Sequence, residues 1–323
     1  MNNRESPTVA LIVLNWNGQE YLEACMTSLL GLDYPDPEIV MVDNGSTDDS
    51  VSYVAESFPS VRIIQTGRNL GYAGGMNVGM ELTRSDIAVL LNNDIMVEQD
   101  WLAELVRCME SDKCIGIAGC KIFFTDNKTL QHAGGYISLP LGLPDHYGYR
   151  ETDRGDYDTM VDAEYVTGAA MAIRRSVVEQ LSGMDADFFL CFEDVDICFR
   201  AREKGWRVVY APKSRLVHLE SATMVRDSYS YLLHFHQGRL RFLLKHLQTQ
   251  EFLEEFVPAE MERLPRLTQH RERKALRRAY KSALGMLPTI YGDRMGYNQQ
   301  TFALFQQVAE ALVSLHSRSF QGE

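Results

Sequence analysis

The chain has 323 residues, of which 45% are hydrophobic and 24% are charged, and its net charge is −12. This composition is typical of a globular protein and excludes an intrinsically disordered chain. No apolar run reaches the roughly 18–20 residues that a membrane-spanning helix needs. The length allows one large α/β domain with an appendage, or two modest domains.

The first part of the chain alternates between predicted strands and helices. The run "TVALIVLNW" (8–16) is almost continuously apolar, as in a parallel strand covered on both faces, and its weak basic flank argues against a signal peptide. The elements expected after it are a helix over 18–31, a strand over 38–46, a helix near 48–57, the strand "VRIIQT", the helix "AGGMNVGMELTRS", the strand "DIAVLLNND", a helix near 98–110 and the strand "IGIAGCKIF". This order predicts an α/β fold with a mostly parallel, Rossmann-like sheet flanked by helices.

The second part of the chain has a less regular pattern. Residues 131–164 are rich in Gly, Tyr and Asp and predict a long functional loop or a mobile flap. Order returns over 166–181, a short strand "WRVVYAP" follows, and the pattern is helical beyond residue 226. We therefore predict a catalytic domain over 1–225 and a helical C-terminal region over 226–323.

The six cysteines are scattered without a C-x-x-C pair, which argues against a zinc site and against a disulfide framework. We expect mostly buried thiols in a reducing cytosol, and therefore a cytoplasmic protein.

Polar residues follow several predicted strands at their carboxyl ends, namely Asn15, Asp43, Asn69 and the triplet 92–94. An open α/β sheet binds its ligands at this edge. A carboxylate at position 43 can accept the N3–H of uracil or thymine or bind a ribose, although an Asx turn is an alternative role.

Two further patterns suggest ligand chemistry. The stretch "NLGYAGGMNVG" (69–79) is neither a P-loop nor a G-x-G-x-x-G fingerprint, so its glycines are expected to allow close approach to a ligand. Asn92 and Asp94 are two residues apart after a strand, which favours two oxygen ligands for Mg²⁺ or Mn²⁺, with a plain turn as the alternative.

A third pattern places Glu193, Asp194 and Asp196 in an otherwise apolar run, "FFLCFEDVDICFR". Burying carboxylates is costly unless they are paired or used, and an apolar environment is one way to make a base. The alternative is a helix N-terminus, where the dipole favours acidic residues. His218, after the strand "WRVVYAP", is by itself more often a structural residue.

Taken together, "VDNGSTDDS", "NLGYAGGMN", "LLNND", "GAAMAIRRS", "FEDVDICFRAREKGWRVVYAP" and His218 resemble a family 2 glycosyltransferase of the rhamnosyltransferase-like branch. The resemblance implies an inverting transferase of the A-type glycosyltransferase fold that uses a nucleotide-diphosphate sugar and Mg²⁺ or Mn²⁺. Asp194 would be the catalytic base, and Glu193, Gly168 and Ala169 would contact the acceptor.

The same resemblance makes Asp94 a metal ligand with His218 and Asn92, which stands where many relatives have aspartate. It implies a set of donor-binding residues: Asn15, Asn17, Asp43, Asn69, Gly71, Asn77, Asn92 and Asn93. The leading donors are dTDP- or UDP-linked hexoses, with rhamnose first, and the acceptor is a glycan or a lipid-linked glycan.

Two rival functions remain open. A sugar-nucleotide nucleotidyltransferase normally needs a basic glycine-rich loop after its first strand, and "LNWNGQEYLE" has no Lys or Arg. A catalytically inactive glycan-binding protein is the other rival, and the presence of Asp94 and Asp194 argues against it.

The C-terminal region is basic in two amphipathic segments, 239–248 and 263–287. Such segments can lie on an anionic membrane surface, here the inner face of the membrane, or can form a homodimer contact. Nucleic-acid binding is not expected, because the acidic remainder of the chain would repel phosphates.

Overall fold

The protein is described here by a computed structural model that covers residues 6–219, 228–296 and 299–319. The chain forms two compact units. The first contains Met1–Tyr136, Asp145–Phe189 and Glu193–Thr223, and the second contains Ile137–Pro144, Leu190–Phe192 and Met224–Glu323. No helix within the described ranges is both long enough and apolar enough to span a bilayer.

The strands are listed in chain order: Val9–Asn15 (β1), Glu38–Asp43 (β2), Arg62–Gln65 (β3), Ile87–Asn92 (β4), Ile95–Val97 (β5), Ile115–Phe123 (β6), Leu130–His132 (β7), Gly135–Ser138 (β8), Leu143–His146 (β9), Val161–Asp162 (β10), Ala170–Arg174 (β11) and Arg207–His218 (β12). The main sheet has the order β10-β12-β6-β11-β4-β1-β2-β3, with β5 paired to β12 and β7 paired to β6.

The helices of the first unit are Gln19–Leu30 (α1), Ser50–Ser57 (α2), Gly71–Leu82 (α3), Trp101–Ser111 (α4), Arg175–Leu181 (α5) and Glu193–Glu203 (α6). The predicted α/β class is therefore confirmed. Parallel pairing joins β4, β1, β2 and β3, and it also joins β6 to β12. The sheet is more mixed than predicted, because β11 lies antiparallel between β4 and β6.

The apolar patterns of the sequence explain the core of this unit. Residues 9–13 of β1 are fully buried or nearly so, as expected of a central parallel strand. Helix α1 buries residues at helical spacing on one side: Leu22, Cys25, Met26 and Leu29. Three of the six cysteines are buried and Cys114 is exposed, so the expectation of mostly buried thiols holds for only half of them.

The glycines of α3 serve packing rather than ligand access. A Cβ at Gly75 would lie 2.4 Å from the side chain of Leu14, and one at Gly79 would lie 2.4 Å from that of Ile12. Helix α3 therefore lies unusually close to β1, which explains why residues of low helix propensity occur inside a helix.

Residues 131–164 are not the long loop that their composition predicts. They contain β8, β9 and β10, and β7 overlaps their start. The segment after β9 is fixed by the buried Lys121, whose ammonium group lies 2.8 Å from Asp153 and 2.5 Å from Asp158. Composition alone does not reveal these strands, because they are short and have no clear alternation.

The second unit is helical, as predicted. Its helices are Tyr229–His246 (α7), Thr249–Glu251 (α8), Val257–Arg263 (α9), His270–Met295 (α10) and Gln299–Arg318 (α11), with a π-helical turn over Phe252–Phe256. Arg239 and Glu260 form a buried ion pair, and the Tyr280 hydroxyl donates a hydrogen bond of 2.7 Å to Glu260. Arg239 lowers the pKa of Glu260 to about 2, although burial opposes this.

The basic segment 263–287 is only partly as predicted. The apolar side of α10 is buried in its own unit through Ala275, Leu276, Ala279, Tyr280 and Ala283. That side is therefore not available to insert into a membrane, which corrects the expectation of an amphipathic surface helix. What α10 exposes is a basic stripe, defined as Arg271, Lys274, Arg278 and Lys281.

The packing of α3 gives a stability prediction. Gly79→Ala should lower the free energy of unfolding by about 1–3 kcal/mol, because the new methyl group overpacks the contact with Ile12. Gly285→Ala in α10 is the matched control, since a Cβ there meets nothing within 4 Å. The control should raise stability by about 0.5–1 kcal/mol through helix propensity. Chemical denaturation of both variants measures this, and equal shifts would contradict the close approach of α3.

Candidate active site

The ends of β1 and β2 form one part of the site. Asn15 and Asp43 are neighbours in the parallel register. The Asn15 amide donates to the Ser46 hydroxyl at 3.2 Å and accepts from the Asn93 amide at 2.7 Å. This brings Asn15, Asp43 and Asn93 together at one edge of the sheet.

Asp43 has one oxygen in a turn and one without a partner. Its Oδ2 accepts the N–H of Ser46, three residues on, at 3.3 Å, so this atom stabilises the turn after β2. Its Oδ1 is buried and has no hydrogen-bond partner among the described residues. A buried carboxylate oxygen left unpaired is costly, so this atom is available for a donor group of a ligand.

The remaining predicted donor-binding residues stabilise loops. The Asn17 side chain accepts the Thr47 N–H at 2.7 Å, and the Asn69 side chain accepts the Gly71 N–H at 2.8 Å. Asn77 donates to the Met184 carbonyl and accepts from its N–H, both at 2.8 Å. The side-chain oxygens of all three asparagines therefore have structural partners, and in Asn77 the amide nitrogen has one as well.

Gly71 has a steric reason to be glycine. Its φ is +74°, and a Cβ would lie 2.3 Å from the Phe189 carbonyl oxygen. The same carbonyl accepts the Tyr72 N–H at 2.6 Å. The N-terminus of α3 is thus fixed against the segment that precedes α6.

A second part of the site combines Asn92, Asp94 and His218. Strand β4 ends at Asn92, and Asp94 follows in the turn before β5. His218 is the last residue of β12 rather than a residue after a short strand, and its pairing with Ile95 of β5 brings it to Asp94. Its Nε2 lies 3.1 Å from Asp94 Oδ1 and 3.3 Å from Asn92 Nδ2.

The fit of a divalent metal to these residues can be judged from their donor atoms. Within the described ranges no three His, Cys, Asp or Glu side chains come together as a metal site. A carboxylate oxygen and an imidazole nitrogen converge, however, and both are ligands that Mn²⁺ accepts. Asp94 and His218 fit a partial site whose coordination shell a diphosphate would complete.

A third part of the site is the start of α6. Asp194 Oδ2 accepts the Gly168 N–H at 2.9 Å, and its Oδ1 accepts the Val195 N–H at 2.8 Å. Burial raises the pKa of Asp194 despite these hydrogen bonds. Glu193 is 5% exposed, and burial together with the charge of Asp194 raises its pKa well above the ordinary value.

The backbone before α6 is unusual, since Cys191 and Phe192 have positive φ angles of 69° and 72°. Such conformations cost free energy in residues other than glycine and are frequent at functional sites. Asp196 is not part of the site, because its carboxylate forms a 2.7 Å ion pair with Arg200 on the next helical turn.

The turn Gly168–Ala169 joins the second and third parts. The Gly168 N–H donates to Asp194, and the Ala169 carbonyl accepts the Asn92 N–H at 3.1 Å. The Tyr72 hydroxyl donates to the Gly168 carbonyl. Two residues of one turn therefore link the start of α6 to the end of β4.

Sequence reasoning missed several residues of this region. The Asn44 amide accepts the Leu70 N–H at 3.0 Å, and Gln131 lies 2.6 Å from His218. His132 Nδ1 lies 2.5 Å from His146 Nδ1, and burial lowers the pKa of His132 well below its ordinary value. The sequence "DNG" is a signal for Asn44, whereas Gln131 and the two histidines lie in or beside short strands that the sequence does not predict.

Comparisons with known proteins show the family to which the chain belongs. The model of the family described as "Glycosyltransferase like family 2" matches residues 7–233, so the chain belongs to the family 2 glycosyltransferases. Its fold is the A-type glycosyltransferase fold, as in a mannosyltransferase of Pyrobaculum calidifontis solved with GDP-Man and Mn²⁺. The two structures superpose with a TM-score of 0.56 and 18% sequence identity. The match covers 99% of this chain and 89% of the mannosyltransferase chain.

Two curated proteins are similar to this chain over most of its length. The chain is 30% identical over 235 residues to the O-antigen biosynthesis protein RfbC of Myxococcus xanthus. The aligned region covers 70% of this chain but only 18% of RfbC. It is 25% identical over 257 residues to the N-acetylglucosaminyl-diphospho-decaprenol L-rhamnosyltransferase of Mycobacterium tuberculosis, with coverage of 72% and 83%. The predicted rhamnosyltransferase-like resemblance is thereby confirmed.

The raised pKa of Glu193 predicts how stability depends on pH. The folded state binds this proton more tightly than the unfolded state, so the carboxyl lowers the free energy of unfolding increasingly as the pH rises above its ordinary pKa of 4.5. Glutamine cannot ionise. Glu193→Gln should therefore raise the melting temperature near neutral pH and have almost no effect at about pH 4.

The control for this measurement is Glu179→Gln, at an exposed position of α5. Its effect on the melting temperature should be small at every pH. A change for Glu193→Gln that did not vary with pH would show that the buried carboxyl is not perturbed.

Proposed function

We propose that this glycosyltransferase is an inverting, metal-dependent enzyme that transfers a hexose, with rhamnose first, from a dTDP- or UDP-linked donor to a glycan or lipid-linked acceptor. The observation that carries the proposal is the turn Gly168–Ala169, which joins the candidate base Asp194 to the strand end at Asn92. An inverting transfer needs a base and a diphosphate-binding group at one site but on opposite sides of the reacting carbon.

In the proposed reaction Asp194 takes the proton of the acceptor hydroxyl. The acceptor oxygen then forms a bond to the anomeric carbon, and the bond from that carbon to the diphosphate breaks, so the nucleoside diphosphate leaves with the electron pair. The raised pKa of Asp194 brings its basicity closer to neutral pH, which favours a general base. Glu193 is the adjacent residue, and its buried Oε2, which has no hydrogen-bond partner among the described residues, is assigned to the acceptor.

The donor would be bound by the strand ends. Asp43 Oδ1 is suited to the N3–H of a pyrimidine base or to a ribose hydroxyl, and Asn15 and Asn93 line the same edge. Asp94 and His218 would bind Mg²⁺ or Mn²⁺, which neutralises the charge that develops on the departing diphosphate. The printed names of the relatives support rhamnose and a lipid-linked acceptor, whereas the family match leaves a nucleotidyltransferase without support.

The proposal is tested by removing the base without disturbing the donor site. Asp194→Asn should lower kcat for transfer by about 10²–10⁴-fold. Its calorimetric affinity for the nucleoside diphosphate with Mn²⁺ should remain that of the unmodified protein. Asp156→Asn, at an exposed position, is the control for the same chemical change. An Asp194→Asn variant that kept more than about a tenth of kcat would assign the base to another residue.

We also propose that the enzyme works on the cytoplasmic side, against an anionic membrane, through the basic stripe of α10. The stripe is exposed while the apolar side of its helix is buried, so the contact would be electrostatic and would not involve insertion. A homodimer is the alternative, with the stripe facing acidic residues of a second copy.

Vesicle sedimentation separates these two contacts. The protein should bind vesicles that contain roughly a third phosphatidylglycerol and should dissociate at about 0.5 M NaCl. The double variant Arg278→Glu and Lys281→Glu should lose binding, whereas Lys204→Glu in the first unit should not. If the charge reversal changed the molecular mass in light scattering and left vesicle binding unchanged, the stripe would be a dimer contact.

A further inference from the structure

Gln131 is a buried polar residue with a single polar side-chain contact in the described part of the protein. It is 7% exposed, and its Oε1 lies 2.6 Å from Nδ1 of His218. Its Nε2 is buried without a hydrogen-bond partner among the described residues. Burying the amide nitrogen without a hydrogen-bond partner costs free energy. We therefore expect the amide oxygen to have a role that an apolar side chain could not fill.

The contact fixes the hydrogen position on the His218 ring. A carbonyl oxygen only accepts hydrogen bonds, so in this orientation of the Gln131 amide Nδ1 carries the hydrogen, and in the neutral ring Nε2 then has a lone pair. This nitrogen faces Asp94 Oδ1 at 3.1 Å and the Asn92 amide nitrogen at 3.3 Å. A lone pair directed at a carboxylate oxygen is repulsive unless a proton or a metal cation lies between the two atoms.

The strand arrangement explains why glutamine is suited to this contact. Strands β7 and β12 pair with the same end of β6, where Ile122 pairs with both His132 and Leu216. Two strands that flank a third are about 10 Å apart, twice the strand spacing. A long amide side chain reaches across this distance, whereas asparagine is one methylene shorter.

We propose that Gln131 is a positioning residue that keeps His218 in the Nδ1–H form, so that Nε2 can bind a divalent cation together with Asp94. Outer partners of metal-binding histidines act in this way in other proteins and commonly change metal affinity by about 10–100-fold. The cation is taken from the proposed function, whereas the position of the hydrogen does not depend on it.

The hydrogen position is measured directly without metal. Two-bond ¹H–¹⁵N correlation spectra of histidine-labelled protein at about pH 8, where an ordinary histidine is neutral, distinguish the two ring forms. The signals of His218 are those missing from His218→Ala. We expect a protonated Nδ1 in the unmodified protein and a shift towards the Nε2–H form in Gln131→Met. A protonated Nε2 in the unmodified protein, or identical spectra for the variant, would overturn the inference.

The consequence for the metal is measured by Mn²⁺ titration in the presence of UDP or dTDP. Gln131→Met should weaken Mn²⁺ binding by about 10–100-fold, and Gln131→Glu, which keeps an acceptor oxygen, should restore it to within about threefold. In a His218→Ala background Gln131→Met should have no further effect. Gln180→Met is the control, because it also removes a side-chain amide in the first unit. That amide accepts a hydrogen bond from the Trp206 indole N–H and should not affect Mn²⁺ binding.

The results separate this inference from the proposed function. If the unmodified protein bound no Mn²⁺ with either nucleotide, the metal part of the proposed function would be wrong, and the spectra alone would decide the role of Gln131. If Mn²⁺ bound equally well to the unmodified protein and to Gln131→Met, the role of Gln131 would be wrong and the metal proposal would stand.

Discussion

The short antiparallel strand β11 determines the position of the whole site. It lies between β4 and β6, so the turn before it, at Gly168 and Ala169, reaches the carboxyl end of β4. Strand β11 is the element that joins β4 to β6 in the sheet, and the turn before it links Asp194 at the start of α6 to Asn92. A Cβ at Gly168 would lie 2.9 Å from the Tyr72 hydroxyl, so the turn also depends on a residue without a side chain.

The start of α6 shows that the protein tolerates unfavourable interactions at this place. Glu193 is buried and the neighbouring Asp194 is partly buried, the Glu193 Oε2 has no hydrogen-bond partner among the described residues, and the two preceding residues have left-handed backbone angles. Each of these features lowers stability. Selection for stability alone would remove them, so their coexistence marks this helix start as a candidate functional site.

Much of the fold follows from local patterns in the sequence. The apolar run at 8–16 and the helical spacing over 18–31 predict β1 and α1 closely, because a central parallel strand and its covering helix are determined by burial. The strand ends also predict that Asn15, Asp43 and Asp94 face one edge. Both predictions follow from short-range periodicity and from the rule that an open α/β sheet binds its ligands at the carboxyl ends of its strands.

The parts that sequence reasoning missed depend on contacts between distant segments. Strand β7 has only three residues. The sequence around Gln131 does not show that its side chain contacts His218, which lies 87 positions later. The antiparallel direction of β11 cannot be read from its composition, since apolar strands of either direction look alike. The glycines of α3 suggested close approach to a ligand, whereas Gly75 and Gly79 allow the close packing of α3 on β1.

The partial metal site suggests why donor and metal would act together. One carboxylate and one histidine give a cation few ligands, so a divalent ion would bind firmly only when diphosphate oxygens complete its shell. Linkage requires that each ligand then raises the affinity for the other by the same factor. The neutral Asn92 lowers the charge of the site in comparison with a second aspartate, which would also make release of the metal with the nucleoside diphosphate easier. If the proposed function is correct, the sugar donor would complete the metal site that activates it, and loss of the diphosphate after transfer would return the protein to its starting state.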